Sequence, residues 1–197
     1  MPLRTRLALI APIMALSLAG CGVNTIPAAD ENAKAKWADV ENQYQRRSDL
    51  IPNLVATVKG YANHEEGTLT AVVEARAKAT QITVSGDDIK DPAKIEQFQQ
   101  AQGQLSAALG KLLSVQEAYP DLKANEQFLA LQSQLEGTEN RIAVARSDYN
   151  TAVQDYNTLI RTFPAAIAAK IVYGAKPITP YKATTAGADQ AAPKVSF

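Results

Sequence analysis

The sequence predicts an all-α protein, an elongated antiparallel up-and-down bundle of about four long helices. Apolar residues return at steps of three and four through most of the chain, which is the spacing of amphipathic helices. Proline, glycine and capping residues divide this pattern into a few long segments. The last long segment keeps a 3.5-residue period over about five heptads, which favours coiled-coil-like packing against neighbouring helices.

The first helix is predicted from Glu31 to Tyr61, and Pro52 interrupts its pattern. Two interpretations are open. Either Ser48 or Asp49 caps a fresh helix whose first turn tolerates Pro52, or one long helix kinks at this proline.

Two further helices are predicted before residue 121. Asn63 and Glu66 resemble a capping box that starts a second helix running toward Ala79. Turn-forming residues at 83–88 then separate it from a third helix, which starts at Asp91-Pro92 and reaches Pro120.

The fourth helix, counted from Asp121 to Phe163, would be about 65 Å long at 1.5 Å per residue. Its apolar seam is expected to consist of Phe128, Leu131, Leu135, Thr138, Ile142, Ala145, Tyr149, Ala152, Tyr156, Leu159 and Phe163. A short helix, Ala165 to Tyr173, is expected to stop at Gly174. The bundle thus spans residues 31–174, and residues 175–197, rich in Pro, Ala, Thr and Gly, are expected to form a disordered tail.

The first 20 residues have the features of a cleaved secretory signal. Two arginines precede an apolar run of 12 residues, shorter than the roughly 20 that cross a bilayer. Residues 18–21, Leu-Ala-Gly-Cys, resemble the lipobox of bacterial lipoproteins, which implies a diacylglycerol thioether and acyl chains such as palmitate on Cys21. The alternative is a free cysteine after an ordinary signal. Residues 21–30 are interpreted as a tether to the bundle.

These features predict a membrane-anchored lipoprotein on a periplasmic or other extracytoplasmic face. Gly22 follows the cysteine where an aspartate commonly retains lipoproteins in the inner membrane. An outer-membrane position is therefore favoured if the cell is Gram-negative.

Composition excludes several classes of function. The 177 residues after the signal carry 18 basic and 20 acidic residues, dispersed along the chain, so no nucleic acid partner is expected. The one cysteine leaves no internal disulfide, and the one histidine, His64, leaves no zinc site of the His-Glu-x-x-His type. No phosphate loop or dinucleotide motif is present, and we expect no metal, no cofactor and no catalytic residues.

Two stretches are more specific than a generic helix. Residues 40–55, with 59–65, read VENQYQRRSDLIPNLV and KGYANHE, and residues 119–128, 135–143, 149–150 and 156–164 form a second signature. Both closely resemble the LemA family. The resemblance implies an antiparallel bundle carried outside a membrane and implies no activity. The chain departs from the family in one respect, because a lipobox replaces the N-terminal transmembrane helix that LemA-like proteins generally keep.

Five charged residues in these signatures are candidate interaction or register-setting residues. They form either a recognition patch or an ion network between helices, and they are Arg46, Arg47, Asp49, Glu139 and Arg141.

Three functions follow as hypotheses. The first is a non-enzymatic scaffold or interaction module, held on the membrane through the lipid on Cys21 and binding unidentified envelope proteins. The alternative is a bundle that binds a lipid or cell-wall fragment. The third is carboxylate hydrolysis by Glu65-Glu66 or Asp87-Asp88, which is disfavoured because sequence neighbours seldom face a common substrate.

Overall fold

The computed structural model describes residues 24–62 and 64–182. Within these ranges the chain is helical and contains no β-strand, so the predicted all-α bundle is confirmed. Two 3-10 turns, Asp88–Lys90 and Val115–Ala118, interrupt the connections. The α-helices are α1 (Thr25–Tyr61), α2 (Glu66–Gln81), α3 (Pro92–Ser114), α4 (Pro120–Lys123), α5 (Glu126–Leu159) and α6 (Ala165–Ile171).

The two longest helices, α1 and α5, run antiparallel along the bundle. Arg47 on α1 contacts Glu139 on α5 at 2.9 Å. Further along α1, Tyr61 accepts a hydrogen bond from Asn125, which precedes α5. The residue numbers of these contacts rise along α1 and fall along α5, as expected for antiparallel helices in an up-and-down bundle.

The shorter helices α2 and α3 pack as a second antiparallel pair. Tyr119, just beyond α3, donates to Glu65 at the start of α2, and Gln102 in α3 donates to the carbonyl of Ala79 near the end of α2. These helices have 16 and 23 residues, against 37 and 34 for α1 and α5. The first turns of α3, the loop 82–91, α6 and residues 175–182 cover the part of the long pair around Trp37.

Helix α1 begins earlier than the sequence predicted. The expected tether at 21–30 is helical from Thr25, because the apolar stripe continues to Ile26, which is buried. Asp30 also pairs with Lys90 at 2.6 Å and so ties this turn to the loop before α3. The signal at 1–20 and Cys21 lie outside the described residues.

The structure decides between the two interpretations at Pro52. Helix α1 continues through Pro52, so one long helix replaces the pair that the capping alternative required. Helix α2 begins at Glu66 with Glu65 at the N-cap and without a side-chain cap hydrogen bond. Asn63, the proposed capping residue, lies outside the described residues.

Helix α5 is shorter than the predicted span from Asp121 to Phe163. Residues 120–123 form the separate helix α4, and Asn125 caps α5 by accepting a hydrogen bond from the backbone N–H of Phe128 at 2.8 Å. The 34 residues of α5 are about 51 Å long. The seam is buried from Phe128 to Tyr156, as predicted. Phe163 lies beyond the helix end and is 82% exposed, so its assignment to the seam is wrong.

The predicted disordered tail begins too early. Residues 175–182, which we call the strap, lie extended against the bundle, with Ile178 and Tyr181 buried. Gly174 immediately precedes the strap and has a φ of +53°, a left-handed conformation that favours glycine. Residues 183–197 lie outside the described residues. In the part of the chain that the structure describes, no helix is both long and apolar enough to cross a membrane.

Candidate functional site

The core of the bundle consists of two apolar clusters with buried polar side chains between them. One cluster includes Trp37 and Tyr149, and the other includes Leu54 and Phe128. Burying polar groups is costly unless they are hydrogen-bonded, so this polar layer is the first candidate for a functional site. Its members, none more than 6% exposed, are Arg47, Ser48, Gln99, Gln102 and Thr138.

Arg47 is the centre of the polar layer. Its Nη1 donates to Ser106 Oγ at 2.7 Å and to Glu139 Oε1 at 2.9 Å. Its Nη2 donates to the backbone oxygen and to Oε1 of Gln102, at 3.2 and 2.6 Å. The guanidinium carbon lies 4.9 Å from the centre of the Tyr44 ring. One side chain of α1 is therefore tied to both α3 and α5.

The ion pair in this layer is asymmetric. Arg47 is 1% exposed, whereas the side chain of Glu139 is 48% exposed. Such a pair fixes helix register more effectively than it adds stability. Because both terminal nitrogens of Arg47 are occupied by protein acceptors, its guanidinium is not available to bind a substrate.

The structure brings together only two of the five candidate charged residues. Arg141 donates to Thr138 within its own helix, and Asp49 accepts from a glutamine one turn away in α1. Arg46 is exposed. Sequence spacing distinguishes Arg47 from Arg46, because Arg47 continues the three- and four-residue steps of the buried stripe in α1 and Arg46 does not.

A recess of about 90 Å³ lies between α1, α2 and α3 beside the polar layer. Its walls include Glu41, Ser48 and Gln102. Burial raises the pKa of Glu41, and Ser48 Oγ is buried without a hydrogen-bond partner among the described residues. A space of this size holds only a few water molecules, so it is too small for a lipid or a cell-wall sugar.

A second polar arrangement holds the strap, and the sequence did not predict it. Asn157 accepts from the backbone N–H of Ile178 at 2.9 Å and donates to its carbonyl at 2.8 Å. Asn150 makes the same pair of bonds to Tyr181, at 2.8 and 2.9 Å. The two asparagines are seven residues apart, so both face the same side of α5. This spacing is the signal that could have revealed a bound extended segment.

Side chains and loop backbone complete the contacts of the strap. Thr179 donates its N–H to the carbonyl of Ile89 and accepts from the hydroxyl of Tyr149 at 2.7 Å. The hydroxyls of Tyr44 and Tyr181 are 2.6 Å apart, and burial raises the pKa of both tyrosines. The strap therefore seals the cluster around Trp37.

Three of the four carboxylates proposed for hydrolysis are engaged in separate contacts. Asp87 pairs with Lys34 at 3.0 Å. Asp88 accepts from Lys94 and Ser85, and these bonds lower its pKa to about 2, so it remains ionised at neutral pH and cannot act as an acid. Glu65 accepts from Tyr119, and no metal-binding cluster of His, Cys, Asp or Glu occurs among residues 24–62 and 64–182.

Comparison with known proteins identifies relatives over most of the chain. The LemA family model matches residues 36–197. Magnetosome protein MamQ 1 of Paramagnetospirillum magneticum is 27% identical over 160 residues, covering 72% of this chain and 58% of the relative. Magnetosome protein MamQ of Magnetospirillum gryphiswaldense is 26% identical, with coverages of 68% and 55%. Protein LemA of Metamycoplasma hominis is 28% identical, with coverages of 60% and 50%. The chain thus spans 50–58% of the length of these relatives.

Proposed function

The chain belongs to the LemA family, and we propose that it is a non-enzymatic, lipid-anchored protein of the cell envelope. Its bundle would act as a scaffold or interaction module at the membrane surface. The observation that carries this proposal is the start of α1 at Thr25, only four residues after Cys21 in the sequence. An acyl chain on that cysteine would hold the end of a long helix directly against the bilayer.

The chemistry of the polar groups supports a non-enzymatic role. Arg47, the most buried cation among the described residues, directs both terminal nitrogens to intramolecular acceptors, and Asp87 and Glu65 of the acidic pairs are engaged in separate contacts. Neither arrangement presents a nucleophile beside a base or two carboxylates around a cleft, as group transfer or hydrolysis requires.

Metabolic labelling tests the anchor. Cells expressing the full chain with its own N-terminus are fed radioactive or alkyne-tagged palmitate, and Cys21→Ser is the matched control. We expect label and signal cleavage in the parent and neither in the variant. A parent protein that carries no label, or a labelled Cys21→Ser variant, would overturn the anchor. An anchor on the outer membrane, favoured by Gly22, predicts that the labelled protein sediments with outer-membrane fractions.

In-cell crosslinking tests the interaction role. Tagged full-length protein is crosslinked in living cells, and an unanchored Cys21→Ser form serves as the control for chance encounters. The proposal predicts specific envelope proteins that are enriched only with the anchored form. Failure to recover any reproducible partner with several crosslinkers would count against a scaffold.

A groove between α3 and α5 favours a second candidate function, the binding of a lipid or cell-wall fragment. The groove has a volume of about 550 Å³, and its lining includes Leu109, Leu113 and Leu135. Native mass spectrometry of full-length protein extracted from its own membrane tests this alternative. A small molecule bound in stoichiometric amount would support it, and a uniformly empty protein would reject it.

A further inference from the structure

Exposed apolar side chains are concentrated at one end of the bundle. Five of the nine large hydrophobic residues that are exposed in the described part of the chain lie within residues 163–173. We call this group the apolar patch: Phe163 (82% exposed), Ile167 (55%), Ile171 (77%), Val172 (63%) and Tyr173 (41%). The other four are spread over different faces of α1, α2 and α5. Concentration of this kind is typical of an interaction surface.

Helix α6 turns its larger side chains away from the protein. Ala165 and Ala169 are buried against the bundle, and these small residues let the helix lie close to it. Ile167 and Ile171, four residues apart, share an exposed side. A helix whose large apolar residues face outward needs a further apolar environment to cover them.

The apolar patch lies at the end of the bundle where α1 begins. Ile26 belongs to the same apolar cluster as Ala165 and Ala169. A recess beside it is lined by Ile26 and Pro27 on one side and by Tyr173 on the other. Cys21 precedes Thr25 by four residues, which span at most about 14 Å when extended. A membrane that holds acyl chains on Cys21 must therefore lie near this end.

The charges around the apolar patch suit a phospholipid surface. Between Ile160 and Lys176 the chain contains Arg161, Lys170 and Lys176 and no acidic residue. All three cations are exposed. The neighbouring recess also contains Asp30 and Glu31, which are paired with Lys90 and Lys34. Apolar side chains with basic residues around them are the composition of helices that lie in the interface of anionic bilayers.

We propose that the apolar patch docks into the interfacial layer of the bilayer that holds the lipid on Cys21. This inference rests on the proposed anchor and adds a second membrane contact, made by α6 and its flanking residues. Two contacts restrain rotation about a flexible lipid linkage, so the strap end of the bundle faces the membrane and the Leu54–Phe128 cluster lies at the distal end.

Spin labelling of the full-length lipidated protein tests the docking. Ile167→Cys places a label in the apolar patch, and Val144→Cys is the matched control, because Val144 is also an exposed helical residue, at 62%, and lies on α5. Both proteins are reconstituted into vesicles of phosphatidylethanolamine and phosphatidylglycerol. The collision rate of each label is then measured with two reagents. Oxygen concentrates in lipid, and a nickel chelate stays in water, so the two rates report the environment of the label.

The label at residue 167 should collide with oxygen at least severalfold more than with the chelate, relative to the label at 144. Equal, water-like accessibility at both positions would overturn the docking. So would a label at 167 shielded from both reagents, since that result indicates contact with a second copy or another protein.

A double substitution and a lipid assay keep the two proposals distinguishable. Ile167→Asp with Ile171→Asp removes the apolar character and leaves Ala165 and Ala169 in place, so helicity should be retained. A label at Phe163→Cys should then move into water. If Cys21 is lipidated and the 167 label is in water, the anchor stands and the docking fails. If Cys21 carries no lipid and the 167 label is in the bilayer, the docking stands and the anchor fails.

Discussion

Arg47 illustrates how a single buried charge can depend on its neighbours. Its substitution by alanine removes four hydrogen bonds, leaves acceptors on Gln102 and Ser106 unpaired and opens a cavity between three helices. We therefore expect Arg47→Ala to lower the free energy of unfolding by about 3 kcal/mol. Urea denaturation followed by circular dichroism measures this change.

Arg46 supplies the matched control for this prediction. Because it is exposed on the same turn of α1, Arg46→Ala should change stability by no more than about 0.5 kcal/mol. Equal losses for the two alanine variants would contradict the structural role assigned to Arg47.

Two buried tyrosines should make the folded protein less stable at alkaline pH. Burial raises the pKa of Tyr149 and of Tyr181 above the usual value. Below about pH 10 both tyrosines are protonated in the folded and unfolded states, so their contribution to stability is complete. At higher pH the unfolded chain loses these protons while the folded chain retains them. The free energy of unfolding should then fall by about 1.4 kcal/mol per pH unit for each tyrosine.

Denaturation curves measured from about pH 9 to about pH 11 test this loss of stability. Tyr149→Phe and Tyr181→Phe should each reduce the slope of the free energy of unfolding against alkaline pH by the contribution of about one proton. The lost hydrogen bond lowers stability at every pH and does not change this slope. Tyr61→Phe, at an exposed position, is the comparison variant. Slopes that do not differ among the three variants would contradict the prediction.

The strap has no regular secondary structure of its own and is held by side chains of α5, among them Asn150 and Asn157. Asn157→Ala removes two hydrogen bonds to Ile178, at about 1 kcal/mol each. We expect the amide of Ile178 to exchange its hydrogen about 30-fold faster, since 1.4 kcal/mol corresponds to a factor of ten. Hydrogen exchange followed by mass spectrometry measures this. Asn140→Ala, at an exposed asparagine of the same helix, should leave the exchange unchanged.

Elements with a repeating pattern were predictable, and those held by distant contacts were not. The heptad spacing of α5 was sufficient to identify its seam from Phe128 to Tyr156, because a buried helix face imposes that period. Its ends were misjudged because Asp121 belongs to a separate turn, and Phe163 follows the end of the helix. The strap has no period. Its order comes from Asn150 and Asn157, which are 31 and 21 residues away in sequence from the backbone groups they hold.

The sequence predicted which types of residue form the candidate site, but it did not predict all of their partners. Paired charges in the two signatures indicated contacts between helices, and Arg47 with Glu139 makes such a contact. The role of Gln102 was not visible, because a glutamine on α3 becomes an acceptor for Arg47 only when the packing of α1 against α3 is known. Local patterns predict helices and their faces, whereas the partner of a buried charge depends on tertiary geometry.

At the scale of the whole molecule, the polar layer divides the core into two parts that need not be equally stable. Trp37 is the only tryptophan and lies in the part that the strap seals. Its ring contacts Tyr149 with centroids 5.1 Å apart, and Tyr149 in turn bonds to Thr179. The fluorescence of Trp37 therefore reports on this part, whereas circular dichroism reports on helices throughout.

In a chain that ends at Gly174, the unfolding transitions measured by Trp37 fluorescence and by circular dichroism should no longer coincide. Without the buried side chains of Ile178 and Tyr181, the cluster around Trp37 loses its cover, and its fluorescence transition should occur at about 1 M less urea than the loss of helicity. A chain that ends at Lys182 keeps the strap, and its two transitions should coincide as in the full chain. If the shorter chain also unfolds in one coincident transition, the strap does not stabilise one half of the bundle selectively. The polar layer would then transmit the loss to the whole core.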